Sequence, residues 1–350
     1  MKQQLLLLLS ILIGTSTSID ISCDGDFYCT VKHLIVPQFQ QLPEQLLQRL
    51  TTLVVKQSYM PTLNVSTLHP TLPDLNLVNC EVEKLILPRD CALLQLTVEE
   101  TIGGIETAPN RRLNFLSITK SHLGGLLAAI ANMSALETIR LRRMHIPAFS
   151  LDVLQGKSKL FGVELNFDRM EALHLSPNRT CCETLSELDL SCNHFTALDL
   201  DLLSRLQALK KLRFRSNRIV TLNGTLELPN LLELDLASNR LQTLDVCRWK
   251  TESLRLLFLE NNRIRHLFSC IEKLQNLISI RMSNNLLTAL DMAPFAKLAM
   301  IHIDFAHNQI RTVRIQYALA ADVCFILEGN PVSNSTDVCN GLQDVARRAQ

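Results

Sequence analysis

The 350-residue chain is short of aromatic side chains: one Trp, three Tyr and 13 Phe amount to 5% of it. Its core cannot rest on large rings, and the abundance of Leu points instead to one aliphatic residue repeated many times. An excess of either charge is missing too. With 35 Lys+Arg against 34 Asp+Glu, the bulk electrostatic case for nucleic-acid binding falls away. Charged residues make 20% of the chain and hydrophobic ones 47%, far from the balance of a disordered chain. The motifs of chemistry are also lacking. There is no G-x-S-x-G, H-E-x-x-H, P-loop or dinucleotide fingerprint, and no C-x-x-C or His/Cys cluster has zinc spacing. No enzyme, cofactor or metal site is expected.

Long apolar runs are absent except at the start, where residues 1–18 read MKQQLLLLLSILIGTSTS. Lys2 precedes the apolar run Leu5–Ile13, and small polar residues end at Ser18. That is the pattern of a secretory signal peptide cleaved just after Ser18, the run being about half of the roughly 20 residues a spanning helix needs. The tail GLQDVARRAQ is polar and lacks the hydrophobic end of a lipid-anchor signal, so no membrane anchor is expected. The predicted product is secreted and extracellular. Eleven cysteines suit an oxidising compartment, and five N-x-[ST] sequons, at Asn64, Asn132, Asn178, Asn223 and Asn334, are candidate glycosylation sites.

What the chain does contain is a repeat. LSELDLSCNHFTAL (185–198), LKKLRFRSNRIVTL (209–222), LLELDLASNRLQTL (231–244), LRLLFLENNRIRHL (254–267) and LISIRMSNNLLTAL (277–290) share the frame L-x-x-L-x-L-x-x-N-x-L-x-x-L. Asn193, Asn217, Asn239, Asn262, Asn285, Asn308 and Asn330 follow one another at 22–24 residues. Upstream the ninth position degenerates to Asp168, Met144 and Ser121, and more loosely to Glu99, Cys80 and Ser58. Met cannot imitate the hydrogen bonds of Asn, so a local irregularity is expected at Met144. The frame is that of leucine-rich repeats, about 13 of them. They imply an α/β leucine-rich-repeat solenoid, a curved horseshoe with a concave parallel β-sheet and an irregular or short-helical outer face. The predicted organisation is a signal peptide at 1–18, an amino-terminal cap at 19–49, the solenoid at 50–332 and a short carboxy-terminal cap at 333–350.

Column position turns spacing into geometry. Cys247 and Cys270 each lie eight residues beyond their Asn, so stacking places them within disulfide reach on the outer side. Cys23–Cys29 closes the amino-terminal cap and Cys324–Cys339 the other end. Cys80 and Cys91 suit buried thiols, while Cys181 or Cys182 is placed to meet Cys192. Eleven is odd, which leaves a thiol available for a disulfide-linked dimer. Position five reads Arg140, Glu164, Asp189, Arg213, Asp235, Phe258, Arg281 and Asp304, and position seven reads Arg142, Asn166, Ser191, Arg215, Ala237, Glu260, Ser283 and Ala306. Both columns face outward from the sheet, and opposite charges adjoin at Arg140/Glu164 and at Asp189/Arg213/Asp235. Phe258 has no core duty there, and with Arg213, Arg215, Glu260 and Arg281 it forms the candidate protein-binding patch. The recurrence of Asp189, Asp235 and Asp304 at one position reads as structural, and His302 beside Asp304 is too little for a catalytic site. Position ten reads His122, His145, Arg169, His194, Arg218, Arg240 and Arg263, a basic rim suited to steering an acidic partner or polyanion, with histidines that gain charge near pH 6.5.

With its signal peptide, sequons, unusual caps and adjacent Cys181-Cys182, the chain resembles secreted insect leucine-rich-repeat proteins, and among them the mosquito leucine-rich-repeat immune family. The resemblance implies a recognition or scaffold role in extracellular innate immunity, with a complement-like thioester protein as partner. Longer members carry a coiled coil after a cysteine-rich segment, which this sequence lacks, so assembly through it is not implied. The alternative expectation is a secreted matrix or developmental ligand-binding protein.

Overall fold

A computed structural model describes residues 20–24, 27–33, 50–67, 71–89, 91–177, 181–314 and 323–332. The expected signal peptide and carboxy-terminal cap, most of the amino-terminal cap, and Asn178, Asn334 and Cys339 lie outside these residues. The chain divides into two compact units, the first ending at Arg140 and the second starting at Leu141.

In the first unit the strands Tyr28–Lys32, Thr52–Lys56, Asp74–Val78, Gln95–Glu99 and Phe115–Thr119 pair in parallel, one per coil. Alternation puts Leu53, Leu75, Leu96 and Leu116 in one inward column and Val55, Leu77, Val98 and Ile118 in the next, all buried. Asp20–Asp24 pairs antiparallel with Tyr28–Lys32, and Cys23 faces Cys29 in that hairpin, disulfide-bonded with Cα atoms 4.1 Å apart. A second parallel sheet, from Tyr59–Asn64, Glu81–Leu87, Ile102–Thr107 and His122–Gly124, takes the chain away from the turn. Its register shifts between Val82 and Leu85. Gly103, with φ of 149°, sits against that shift, where a Cβ would lie 1.5 Å from the Val82 carbonyl oxygen. No other residue fits there.

The second unit repeats the arrangement with shorter strands. Glu187–Asp189, Lys211–Arg213, Glu233–Asp235, Leu256–Phe258, Ser279–Arg281, His302–Asp304 and Cys324–Ile326 pair in parallel after Gly162–Asn166. Leu188, Leu212, Leu234, Leu257, Ile280 and Ile303 form the inward column. The return segments carry short helical turns such as Leu200–Leu203, whose first turn is capped by Asp199 accepting from the Leu202 N–H at 3.1 Å. The few rings in this core meet edge to face, as in Phe195–Phe214 with centroids 5.5 Å apart.

The asparagines explain why the coils stack. Asn239 is typical: its Oδ1 accepts from the Ile219 N–H of the preceding coil at 3.0 Å, and its Nδ2 donates to the Phe214 and Leu236 carbonyls at 2.9 and 3.0 Å. Asn217, Asn262, Asn285, Asn308 and Asn330 make the same contacts in their own coils. Each amide thereby satisfies backbone groups that a wedge of leucines cannot. The residue before each ladder position is left-handed, for example Ser216, Ser238 and Asn261 with φ of 55–58°, which turns the chain inward.

In the first unit small side chains take over. Ser58, Thr101 and Ser121 donate their hydroxyls to the carbonyls of Lys56, Glu99 and Thr119 at 2.7–3.0 Å, and the Cys80 thiol reaches the Val55 and Val78 carbonyls. Glu99 is therefore not the ladder residue that the frame suggests. It ends its strand, and Thr101 takes the buried place because a hydroxyl can be satisfied there while a carboxylate would be stranded. The coil of Met144 also departs from the later ones: His145 as well as Arg143 is left-handed, and the doubling recurs at Phe167 and Arg169.

Candidate functional site

The outward face of the second unit's sheet is built from positions three, five and seven of each coil. Strand pairing brings Asp189, Arg213, Asp235, Phe258, Arg281 and Asp304 into register at successive coils. The charges neutralise one another across coils. Lys211 pairs with Glu187 at 2.9 Å, Arg213 with Glu233 at 2.7 Å, and Arg215 with Glu260 at 2.8 Å and Asp235 at 3.6 Å. Arg213 thus reaches position three of the next coil rather than the Asp189 or Asp235 of its own column, because its long side chain slants past the near carboxylates. Those carboxylates are already occupied: Asp189, Asp235 and Asp304 each accept the N–H two residues on, at 2.9 Å. The recurring Asp closes the strand's end.

Burial raises the Asp235 carboxyl above its usual range, against the Ala237 N–H and Arg215, which lower it. The bond to Glu260 holds the Arg215 guanidinium above its usual range despite burial. For Arg213, burial works against the charge, but the bond and charge of Glu233, with Asp189 and Glu187 behind it, more than offset it. Glu260 is 8% exposed, with Oε1 on Arg215 and Oε2 buried without a hydrogen-bond partner. Beside it the Phe258 ring is half-buried, with the Arg281 guanidinium 5.2 Å from its centroid. The five residues of the expected patch therefore adjoin on one face, all of them already engaged with neighbours. In the columns upstream, Arg142 holds Glu164 with Nε at 2.6 Å, and within the first unit Arg140 lies over Phe115 at 5.3 Å.

His302 is 4% exposed, and burial with the nearby Arg281 lowers its pKa while Asp304 opposes them. Asp304 Oδ1 accepts the Ala306 N–H, and His302 Nδ1 lies 3.4 Å from Ser279 Oγ. Among the described residues, no group of three or more His, Cys, Asp or Glu could hold a metal ion.

The cysteines correct one expectation. Cys181 and Cys182 are bonded to each other, and Cys192 is a thiol. Cys192 occupies the left-handed turn beside Asn193, whereas Cys181-Cys182 leads into Leu185, with the Leu185 N–H donating to the Cys182 carbonyl. Cys247 and Cys270 are bonded with Cα atoms 5.0 Å apart, and Cys324 is disulfide-bonded. Burial raises the thiols of Cys80 and Cys192, which makes both poor nucleophiles for intermolecular exchange.

Three sequons are described, and their amides differ. Asn64 Oδ1 accepts from the N–H and hydroxyl of Ser66, and Asn132 Nδ2 donates to the Thr107 carbonyl. Asn223 is exposed on the strand Thr221–Asn223. The residues of the basic rim are exposed apart from the half-buried His194. His194 Nε2 lies 3.1 Å from Arg218 Nη2, and since a guanidinium only donates, the ring nitrogen is the acceptor in that contact.

Residues 183–241 match the family model described as leucine rich repeat. Similar curated proteins include Toll-like receptor 2 of Bubalus bubalis, 25% identical over 71% of this chain and 33% of the relative, and that of Ovis aries, 24% identical over 81% and 37%. A phosphatase 1 regulatory inhibitor subunit homolog of Arabidopsis thaliana is 29% identical over 50% of this chain and 53% of its own length. The chain spans about a third of the length of the Toll-like receptors it matches. Among solved structures, a Toll–Spatzle complex of Drosophila aligns at TM-score 0.54 and 17% identity over 95% of this chain and 53% of that one. A complex of Latrophilin 3, Unc5D and FLRT2 aligns at 0.51 and 17%, over 83% and 84%. The fold is a leucine-rich-repeat solenoid.

Proposed function

We propose that this chain is a secreted leucine-rich-repeat binding protein, acting in extracellular innate immunity, and that the sheet face around Phe258 recognises an extracellular protein ligand. The observation that carries the reading is the Phe258–Arg281 stack, set among charges that already neutralise one another. Aromatic and arginine side chains dominate the energetics of protein interfaces, and paired surrounding charges lower the desolvation cost of covering them. Secretion is supported by the first 18 residues and by disulfides at Cys23–Cys29 and Cys247–Cys270. No helix among the described residues is long and apolar enough to cross a membrane. The immune role draws on the likeness to Toll-like receptors, and the sequence resemblance implies a complement-like protein as the ligand.

The test expresses the full chain in a secreting cell, identifies crosslinked partners from native extracellular fluid, and titrates the partner against Phe258→Ala. A loss of about 30-fold or more in affinity is expected, with a melting temperature close to that of the wild type. A melt that falls steeply while affinity holds would make Phe258 a packing residue, and retention of the chain inside the cell would remove the extracellular reading.

A further inference from the structure

The sheet face and the edge beyond the asparagine ladder treat their cations in opposite ways. On the face, Lys211, Arg213 and Arg215 are matched by carboxylates at 2.7–2.9 Å. On the edge, the four residues after each ladder Asn read HFTA, RIVT, RLQT, RIRH, LLTA and QIRT from 194 to 312. They hold Arg218, Arg240, Arg263, Arg265 and Arg311, all exposed, and no acid. None of the five has a carboxylate within ion-pair reach among the described residues. Arg265 and Arg311 belong to a second column, two residues beyond the one legible as a rim in the sequence.

Backbone bonds set these side chains in line. The N–H groups of Arg218, Arg240, Arg263, Leu286 and Gln309 each donate to the preceding coil, at Phe195, Ile219, Leu241, Ile264 and Leu287, all at 2.9 Å. Successive coils are therefore a strand spacing apart, and the edge from Arg218 to Gln309 runs for about 20 Å. The Cys247–Cys270 disulfide ties together the coils that carry Arg240 and Arg263. The acids that follow three of these segments, Asp199, Asp245 and Asp291, are held by the turn N–H groups of Leu202, Cys247 and Ala293. After the segments of Arg218 and Arg263 the next acids are Glu227, paired with Lys250 at 2.9 Å, and Glu272. The nearest acid in the same columns is Glu171, one coil before His194.

We infer that this edge is a binding site for a linear sulfated polysaccharide, distinct from the protein-binding face. Guanidinium forks match sulfate oxygens bidentately, and a straight row of single charges at coil spacing suits a linear polyanion better than a globular one. The neutral neighbours Thr221, Gln242, Thr243, Thr288, Gln309 and Thr312 offer hydrogen bonds to sugar hydroxyls. The edge has Val220 as its exposed large apolar side chain, too little for the apolar centre of a protein interface or for insertion into a bilayer. Because the chain is close to neutral overall, retention on a polyanion has to come from this local excess.

The test passes the full secreted chain over immobilised heparin oligosaccharide, with hyaluronan and phosphatidylserine vesicles as comparison probes. The wild type should be retained above physiological salt, bind hyaluronan more weakly, and leave the vesicles unbound. The quadruple variant Arg240→Gln, Arg263→Gln, Arg265→Gln and Arg311→Gln should lose at least tenfold in heparin affinity and flatten the salt dependence, with an unchanged thermal melt. Lysine at the same four positions should recover only part of the binding. Phe258→Ala should leave heparin binding as it was, which separates this site from the proposed face. Flow-through of the wild type at low salt, superimposable wild-type and glutamine curves, or tighter binding to vesicles than to heparin would each overturn the assignment.

Discussion

At the scale of single residues, Asp168 is the place where the ladder is chemically wrong. Its side chain is fully buried, its Oδ1 accepts the Met144 N–H, its own N–H donates to Asn193 Oδ1 at 3.0 Å, and its Oδ2 has no partner. Burial pushes its carboxyl up to about 6 from 3.8, with the N–H groups of Met144 and His145 pulling the other way. A carboxyl whose folded pKa exceeds its unfolded one favours the fold when protonated, so its contribution is fully present below about 4 and is lost as pH rises through 6. The shift corresponds to roughly 3 kcal/mol. Asp168→Asn supplies the amide that the later coils use, with donors toward neighbouring carbonyls. The variant should be more stable than the wild type at pH 7.5, and the gap should narrow by about 2 kcal/mol on going to pH 4. Urea titrations at the two pH values decide it, since a gap independent of pH would mean that Asp168 is ionised and satisfied in the fold.

At the scale of elements, the Cys247–Cys270 disulfide joins return segments of adjacent coils, and Lys273 Nζ adds a bond to the Cys247 carbonyl. Non-reducing peptide mapping should recover the two peptides linked. The Cys247→Ser, Cys270→Ser variant should lose about 2–4 kcal/mol, less if the coils unfold segment by segment. Two alkylated thiols in the folded protein would remove the link. This pairing was readable from spacing because both cysteines hold the same place in consecutive repeats. Cys181–Cys182 was not, because its closure depends on the local backbone rather than on any column. The ladder was legible wherever it is written in Asn. In the first unit the frame points to Glu99 where Thr101 holds the buried place, since several small polar side chains perform the same bonding and the letter no longer marks the position. The face was legible as a set of columns but not as a set of pairs: Arg213 chooses Glu233 over Asp235 by side-chain reach, which a one-dimensional frame does not carry. The second arginine column of the edge was missed for a related reason. Arg265 and Arg311 alternate with neutral residues along the column, and only the stacking of exposed side chains brings them beside Arg240 and Arg263.

At the scale of the molecule, the two units hold their turns by different means, and that difference has a measurable consequence. From Asn193 onward each buried amide bonds to its own coil and the coil before it, so a defect passes to a neighbour as well as to itself. In the first unit the Ser58, Thr101 and Ser121 hydroxyls bond within their own coil, and links between coils come from single contacts, the Cys80 thiol to the Val55 carbonyl and the Thr101 N–H to Ser121 Oγ. Stability in a stacked array is the sum of repeat terms and neighbour terms, and the asparagines raise the neighbour terms of the second unit. Asn239→Ala removes the acceptor of the Ile219 N–H and the donor to the Phe214 and Leu236 carbonyls. Buried groups left in this way cost about 1–3 kcal/mol each, so the variant should lose at least 2 kcal/mol. Native-state hydrogen exchange is expected to show faster exchange at Ile219 and at the amides of the strands Lys211–Arg213, Glu233–Asp235 and Leu256–Phe258. Amides in Thr52–Lys56 and Asp74–Val78 should keep their wild-type rates. Ser121→Ala, by contrast, should speed exchange at Thr101 and little else, because the hydroxyl supports one N–H of the coil before it. Equal spreading of the two defects would mean that leucine packing, and not the amide ladder, carries the coupling between coils.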